Sequence, residues 1–173
     1  MKTEPVKIHL KERAQPYAAM TACRIPFPLM DKVEAELSRL ENNGVIVAMS
    51  EPSEWCSPIV PVLKKKGQVR ITVDYKRLNA SVKRQPFMLP NLADITPKLA
   101  GATVFSSLDA ASGSYQIPLN DSSSKLTTFV TPFGRFRFQR IPMGIKSAPE
   151  VFQQKWQNYF RTMQGVRSLW IIC

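Results

Sequence analysis

Two pairs of strand-like runs, each closed across a short glycine-bearing turn, constrain this chain more than any other feature. Ser57 to Leu63 and Gln68 to Tyr75 flank Lys64-Lys65-Lys66-Gly67, and Leu126 to Thr131 and Phe136 to Ile141 flank Pro132-Phe133-Gly134-Arg135. Glycine accepts the positive φ that tight antiparallel connections impose, so each pair reads as a hairpin. Helical stretches lie between and around them. Pro28 opens one, with Leu29, Val33, Leu37 and Leu40 at helical spacing and Asp31, Lys32, Glu34, Glu36, Arg39 and Glu41 on the other face. Asn42-Asn43-Gly44 stops it, and the apolar run Val45-Ile46-Val47 follows. A last helix is expected from Ser147, where Ser147 and Glu150 have capping-box spacing and Pro149 sits in the first turn. Val151, Phe152, Trp156, Tyr159, Phe160 and Met163 then form a broad apolar face up to Gly165. Hairpins interleaved with packed helices define an α+β fold rather than a doubly wound sheet.

The stretches between are shorter. Asn91 to Ala100 reads as a short helix ended by Gly101, with Pro97 confined to its first turn or breaking it. Thr103 to Leu108 is β-branched and apolar, a buried strand with Asp109 at its end. Asp121 falls in a serine-rich loop, and residues 1–27, basic and carrying Pro16 and Pro26, read as an extended arm.

Charge narrows the function classes. Of 173 residues, 24 are Lys or Arg and 13 are Asp or Glu, a formal net charge of +11. That excess suits a polyanion, because each neutralised phosphate releases condensed counterions. A merely soluble basic protein or a partner of an anionic membrane surface has the same signature. The hydrophobic share of 44% supports a folded core. Cys23, Cys56 and Cys173 are odd in number and lack CxxC spacing, which argues against a disulfide framework or zinc knuckle and for a reducing compartment. His9, the only histidine, lies in the polar arm, so histidine-based nucleophilic catalysis is set aside. No apolar run approaches the roughly 18 residues of a membrane span. Met1 to Arg13 carries no apolar signal core. An intracellular protein is expected, with cytoplasm and nucleus both open.

Four segments in order carry a resemblance. They are Val69-Arg-Ile-Thr-Val-Asp-Tyr-Lys-Arg-Leu-Asn79; Val104-Phe-Ser-Ser-Leu-Asp-Ala-Ala-Ser-Gly113 with Gln116-Ile-Pro-Leu119; Thr131-Pro-Phe-Gly-Arg-Phe-Arg-Phe138; and Ile141-Pro-Met-Gly-Ile-Lys-Ser-Ala-Pro149 with Phe152-Gln153. Together with Glu51-Pro-Ser-Glu-Trp-Cys-Ser-Pro58 they resemble reverse transcriptases of gypsy-class LTR retrotransposons, from about Val6 to Gly165. The resemblance implies the fingers and an incomplete palm of a right-hand polymerase over residues 28–165, behind the arm of residues 1–27. It implies an RNA or DNA template–primer and a deoxynucleoside triphosphate as partners, and Mg²⁺ as cofactor.

Residue roles follow from the same resemblance. Nucleotide addition by two Mg²⁺ ions needs hard carboxylate oxygens, and Asp109 matches the first of them, a catalytic metal ligand. By its position alone, a strand-end Asp equally caps a turn. Lys64, Lys65, Lys66 and Arg70 match the hairpin that grips the triphosphate, for which the forked guanidinium is suited; a solvated turn is the plain alternative. Asp74 matches a turn-holding residue, and Ala110 a small residue whose backbone N–H approaches phosphate. Gln116 to Leu119 and Phe152-Gln153 line the palm in relatives, though core packing explains Phe152 equally well. Met143 matches the position beside the nascent base pair, where relatives often carry an aromatic side chain.

Two departures stand out. The position of the aromatic gate against the ribose 2′-hydroxyl is Ser114, with Tyr115 next, which puts sugar discrimination in doubt. The family's Tyr-x-Asp-Asp hairpin has no counterpart here: after Asp109 the acidic residues are Asp121 and Glu150, and the chain reads Val166-Arg-Ser-Leu-Trp-Ile-Ile-Cys173. Glu150 is expected to serve the helix cap. Residues 166–173 have the look of a shifted reading frame, because a Trp-Ile pair always places GAT, an Asp codon, across its junction. On this reading the isolated chain is an inactive polymerase, its Thr103 to Leu108 strand is left with an exposed edge, and its stability is marginal. A non-catalytic nucleic-acid-binding module and an inert transposon remnant are the rival readings.

Overall fold

The structure, a computed structural model, describes residues 3–64, 67–84, 87, 93, 96–101, 103–104, 110, 112–160 and 163. A 3₁₀ turn over Phe27–Leu29, with Pro at its start, leads into helix α1, Met30–Asn42. Gly44, at φ +62°, ends α1 as expected. Strand β1, Ile46–Ala48, follows. Strands β2, Ser57–Leu63, and β3, Val69–Val73, form the first hairpin; β4, Phe129–Thr131, and β5, Gly134–Phe138, form the second. Helices α2, Lys76–Ser81, and α3, Asp121–Leu126, are single turns and a half, and α4 spans Ala148–Phe160.

The hairpins join into one five-stranded sheet, ordered β1-β5-β4-β2-β3. The seam is the short parallel pairing of β2 with β4, Ser57 opposite Phe129 and Pro58 opposite Val130. Alternation along β3 places Val69, Ile71 and Val73 inward, where α1 covers them with Val33, Leu37 and Leu40, all at most 3% exposed on the helix side. Phe129 stands at the centre of the sheet, with ring centroids 5.9 Å from Phe136 and 5.1 Å from Phe138.

Several expectations are corrected. The serine-rich stretch at Asp121 is a helix, because the Asn120 side chain accepts from Ser123 N at 3.0 Å and so satisfies a first-turn donor. Leu126 therefore closes α3 rather than opening a strand. Tyr159 and Met163, placed on the apolar face of the last helix, are about half exposed, while Val151 and Phe152 are buried. Val104, expected inside a buried strand, is largely exposed; Phe105 to Asp109 lie outside the described residues, as do most of Asn91 to Ile95 and the tail from Gln164.

The arm is not detached from the fold. Val6 bridges Leu119, Leu10 bridges Val82 and Ala18 bridges Cys56, with Ile8 buried between the first two. Ile8 N also donates to Ser123 Oγ at 2.8 Å. The arm thus fastens α3, the end of α2 and the start of β2 to one another.

Candidate active site

The first hairpin supplies the basic end of the site. Lys64 N donates to Gln68 O at 2.7 Å and Gly67 N to Lys64 O at 3.1 Å, closing a turn that Gly67 permits with φ +74°. Lys32 Nζ, from α1, donates to Gly67 O at 3.1 Å and ties the tip to the helix. Lys64 is exposed; Lys65 and Lys66 lie outside the described residues. Arg70 is exposed on β3, opposite Val62, on the face away from α1. The Thr72 hydroxyl donates to Val60 O on that same face.

Where β3 ends, the chain turns into α2. The Asp74 carboxylate accepts from Lys76 N at 3.0 Å, the turn-holding role expected of it. Tyr75 is buried, donates its hydroxyl to Thr127 O at 3.1 Å, and has its phenol pushed well above the ordinary value by burial. Asn79 then reaches across: its Nδ2 donates to Gly144 O at 2.7 Å, and its Oδ1 accepts from Lys146 N at 2.8 Å. Gly144, at φ +95°, packs a would-be Cβ position 3.8 Å from both the Tyr75 ring and Val73 O. The Met143 turn is thereby held against the root of the hairpin, with Met143 itself 41% exposed.

A second wall comes from the segment after Asp109. Ser112, at φ +50°, leads into a 3₁₀ turn over Gly113–Gln116. A Cβ on Gly113 would lie 2.9 Å from the Phe152 ring, so only glycine lets α4 press this close. Ala110 is half-buried beside it. Ser114 is 3% exposed and its Oγ has no partner among the described residues. Its hydroxyl is thus shut inside the fold, not set on an open wall. Tyr115 stacks on Phe138 with centroids 5.9 Å apart. Burial pushes its phenol up, Glu36 adds to the rise, and the charges of Arg70 and Arg39 oppose it.

The acidic residues behave differently from expectation. Glu150 does not cap α4; its Oε1 accepts from Arg84 Nε at 2.6 Å, and its buried Oε2 has no partner among the described residues. A guanidinium in reach outcompetes the local backbone for the carboxylate. Arg84 and Asn79 are the two site residues that spacing did not single out, since each acts across the fold. Asp121 is exposed and pairs with Arg137 at 2.5 Å and Lys125 at 3.4 Å; hydrogen bonding to Arg137 holds its carboxyl below the ordinary value. Among the described residues no group of His, Cys, Asp and Glu could hold a metal ion, and Asp109 lies outside them. Also among the described residues, no helix is long and apolar enough to cross a membrane.

The fold matches that of reverse transcriptases. The prototype foamy virus protease–reverse transcriptase superposes with a TM-score of 0.78 at 21% identity, over 97% of this chain and 22% of that one. The foamy viral enzyme in complex with an RNA/DNA hybrid gives a TM-score of 0.78 at 19% identity, over 97% of this chain and 22% of that one. A family model described as Reverse transcriptase (RNA-dependent DNA polymerase) matches residues 62–171, and the chain belongs to that family. An uncharacterized protein of Caenorhabditis elegans is 34% identical over 173 residues, 98% of this chain and 13% of that protein. The retrovirus-related Pol polyprotein from transposon 412 of Drosophila melanogaster is 34% identical over 139 residues, 76% of this chain and 11% of the polyprotein. The chain thus spans about an eighth of these relatives' length, and it carries a reverse transcriptase domain of the retrotransposon Pol kind.

Proposed function

We propose that this chain is the fingers and proximal-palm part, over residues 28–165, of a gypsy-class RNA-directed DNA polymerase that holds an RNA or DNA template–primer and a deoxynucleoside triphosphate inside the cell. The observation that carries the reading is the double hydrogen bond of Asn79 to the Met143 turn, which joins that turn to the hairpin bearing Lys64 and Arg70. Phosphate contacts would come from Lys64, Lys65, Lys66 and Arg70, and from the backbone at Ala110. Met143 would sit against the base pair and Tyr115 beneath the sugar, with the buried Ser114 behind that surface. The foamy viral relative bound to an RNA/DNA hybrid supports the choice of partner.

Reverse transcriptases use divalent metal ions, and Asp109 is our candidate ligand for Mg²⁺. The described carboxylates do not complete such a site, because Glu150 and Asp121 are each engaged by cationic side chains. Within these 173 residues Asp109 has no Tyr-x-Asp-Asp partner. The isolated chain is therefore expected to bind without polymerising, the behaviour of a nucleic-acid-binding module. Primer extension with Mg²⁺ or Mn²⁺, run beside filter binding at two salt levels, tests both halves. Salt-sensitive binding without extension is the expected result. Extension that Asp109→Ala abolishes would overturn the inactivity, and absence of binding would overturn the template–primer reading.

A further inference from the structure

The arm and α2 meet along a seam that the proposed site does not use. Lys83 N donates to His9 O at 2.7 Å and Lys11 N to Ser81 O at 2.8 Å, so residues 9–11 lie directly against residues 81–83. Burial alternates along the arm: Ile8 is buried and Leu10 half-buried, whereas Lys7, His9 and Lys11 are exposed. Lys83, which is bonded to His9, is exposed as well, as are Arg13, Lys76 and Arg77. None of these lysines and arginines forms an ion pair among the described residues. The sequence between Asp74 and Asp94 contains no acidic residue. The Asp74 carboxylate is occupied by a backbone N–H, and Glu4 and Glu12 are the arm's own counter-charges.

We infer that this seam is a second phosphate-tracking surface for the backbone of a nucleic-acid duplex, separate from the hairpin's phosphate contacts. The inference rests on the template–primer reading above and adds to it a path for the duplex. Two physical features favour a duplex backbone over splayed bases. Lys7 and Lys11 are four residues apart on the extended arm, about 13 Å, a span of about four base-pair steps measured along a duplex axis. Among the described residues the surface also offers little to stack on: Tyr17, at its edge, has one ring face taken by Arg77, whose guanidinium carbon lies 5.5 Å from the ring centroid. Contacts of this kind position a duplex without reading its sequence.

The test measures binding of a short RNA–DNA hybrid by the 173-residue chain over a range of salt. Three double variants are compared: Lys7→Gln with Lys83→Gln, Lys7→Arg with Lys83→Arg, and Lys64→Gln with Arg70→Gln. Equal thermal midpoints establish that each folds. Loss of two phosphate contacts lowers the salt slope by about two and weakens binding roughly 10- to 60-fold at about 0.1 M salt. That loss is expected for the first variant, and the arginine variant restores wild-type binding. Unchanged affinity and slope in the first variant, with weakening in the hairpin variant, overturn the second surface and leave the template–primer reading intact. A wild-type chain that binds no hybrid removes both. If the first variant instead loses affinity only for phosphatidylserine vesicles, the seam faces a membrane and the duplex assignment is wrong.

Discussion

At the scale of single residues, the polar groups that matter act across the fold rather than along the chain. Asn79 bonds a turn 65 residues away in sequence. Asn79→Ala leaves Gly144 O and Lys146 N to water, and is expected to cost about 1–3 kcal/mol and to speed amide exchange over residues 143–146. Unchanged exchange in that turn would mean that the clamp does not hold it. Arg84 is the partner of a carboxylate whose side chain is 4% exposed. Arg84→Ala strands that charge, so a loss of about 1–3 kcal/mol is expected, below the roughly 3–5 kcal/mol of a fully buried pair because Arg84 itself is mostly exposed. Arg84→Ala combined with Glu150→Gln should recover part of it in chemical denaturation. Asp121 gives a pH signature with a definite sign. Its folded carboxyl titrates below the ordinary 3.8, so its pairing stabilises the fold above that value and the benefit is lost as pH falls through the lowered one. Asp121→Asn should therefore show a shallower acid limb in stability against pH than the wild-type chain. An identical limb would remove the Arg137 pairing from solution.

At the scale of elements, what was legible in the sequence is what local chemistry dictates. The stop at Gly44 and the turn at Gly67 were readable because a positive φ selects glycine. Helix α1 was readable from its spacing, and its docking gives a direct test. Leu40 is 2% exposed, and Leu40→Ala should cost about 2–5 kcal/mol in denaturant unfolding; a loss below about 1 kcal/mol would mean that α1 does not cover the sheet as described. Helix α3 was missed because three successive serines read as a loop, while its start depends on one Asn120 cap. The parallel seam of β2 with β4 was invisible for a different reason: Ser57 and Phe129 are far apart in sequence, and no local pattern encodes which strands become neighbours. The cap assigned to Glu150 failed on the same ground, since spacing registers a backbone donor nearby and not a guanidinium from another element.

At the scale of the whole molecule, family membership was legible because four segments recur in one order, and order is harder to match by chance than any one segment. The meeting of the Met143 turn with the root of the first hairpin needed the fold, since Asn79 joins them only when α2 and the sheet are assembled. A formal net charge of +11 would give a polyanion a long-range attraction, and the arm–α2 seam and the hairpin are the two places proposed for it to act. The central claim is that the chain holds a template–primer through phosphate contacts that include Arg70. The most direct measurement is the salt dependence of RNA–DNA hybrid affinity for the wild-type chain and for Arg70→Ala. A linear fall of log affinity with log salt, with a slope lower by about one in Arg70→Ala, is the predicted result. Affinity that does not change with salt, or a slope that Arg70→Ala leaves untouched, would contradict it.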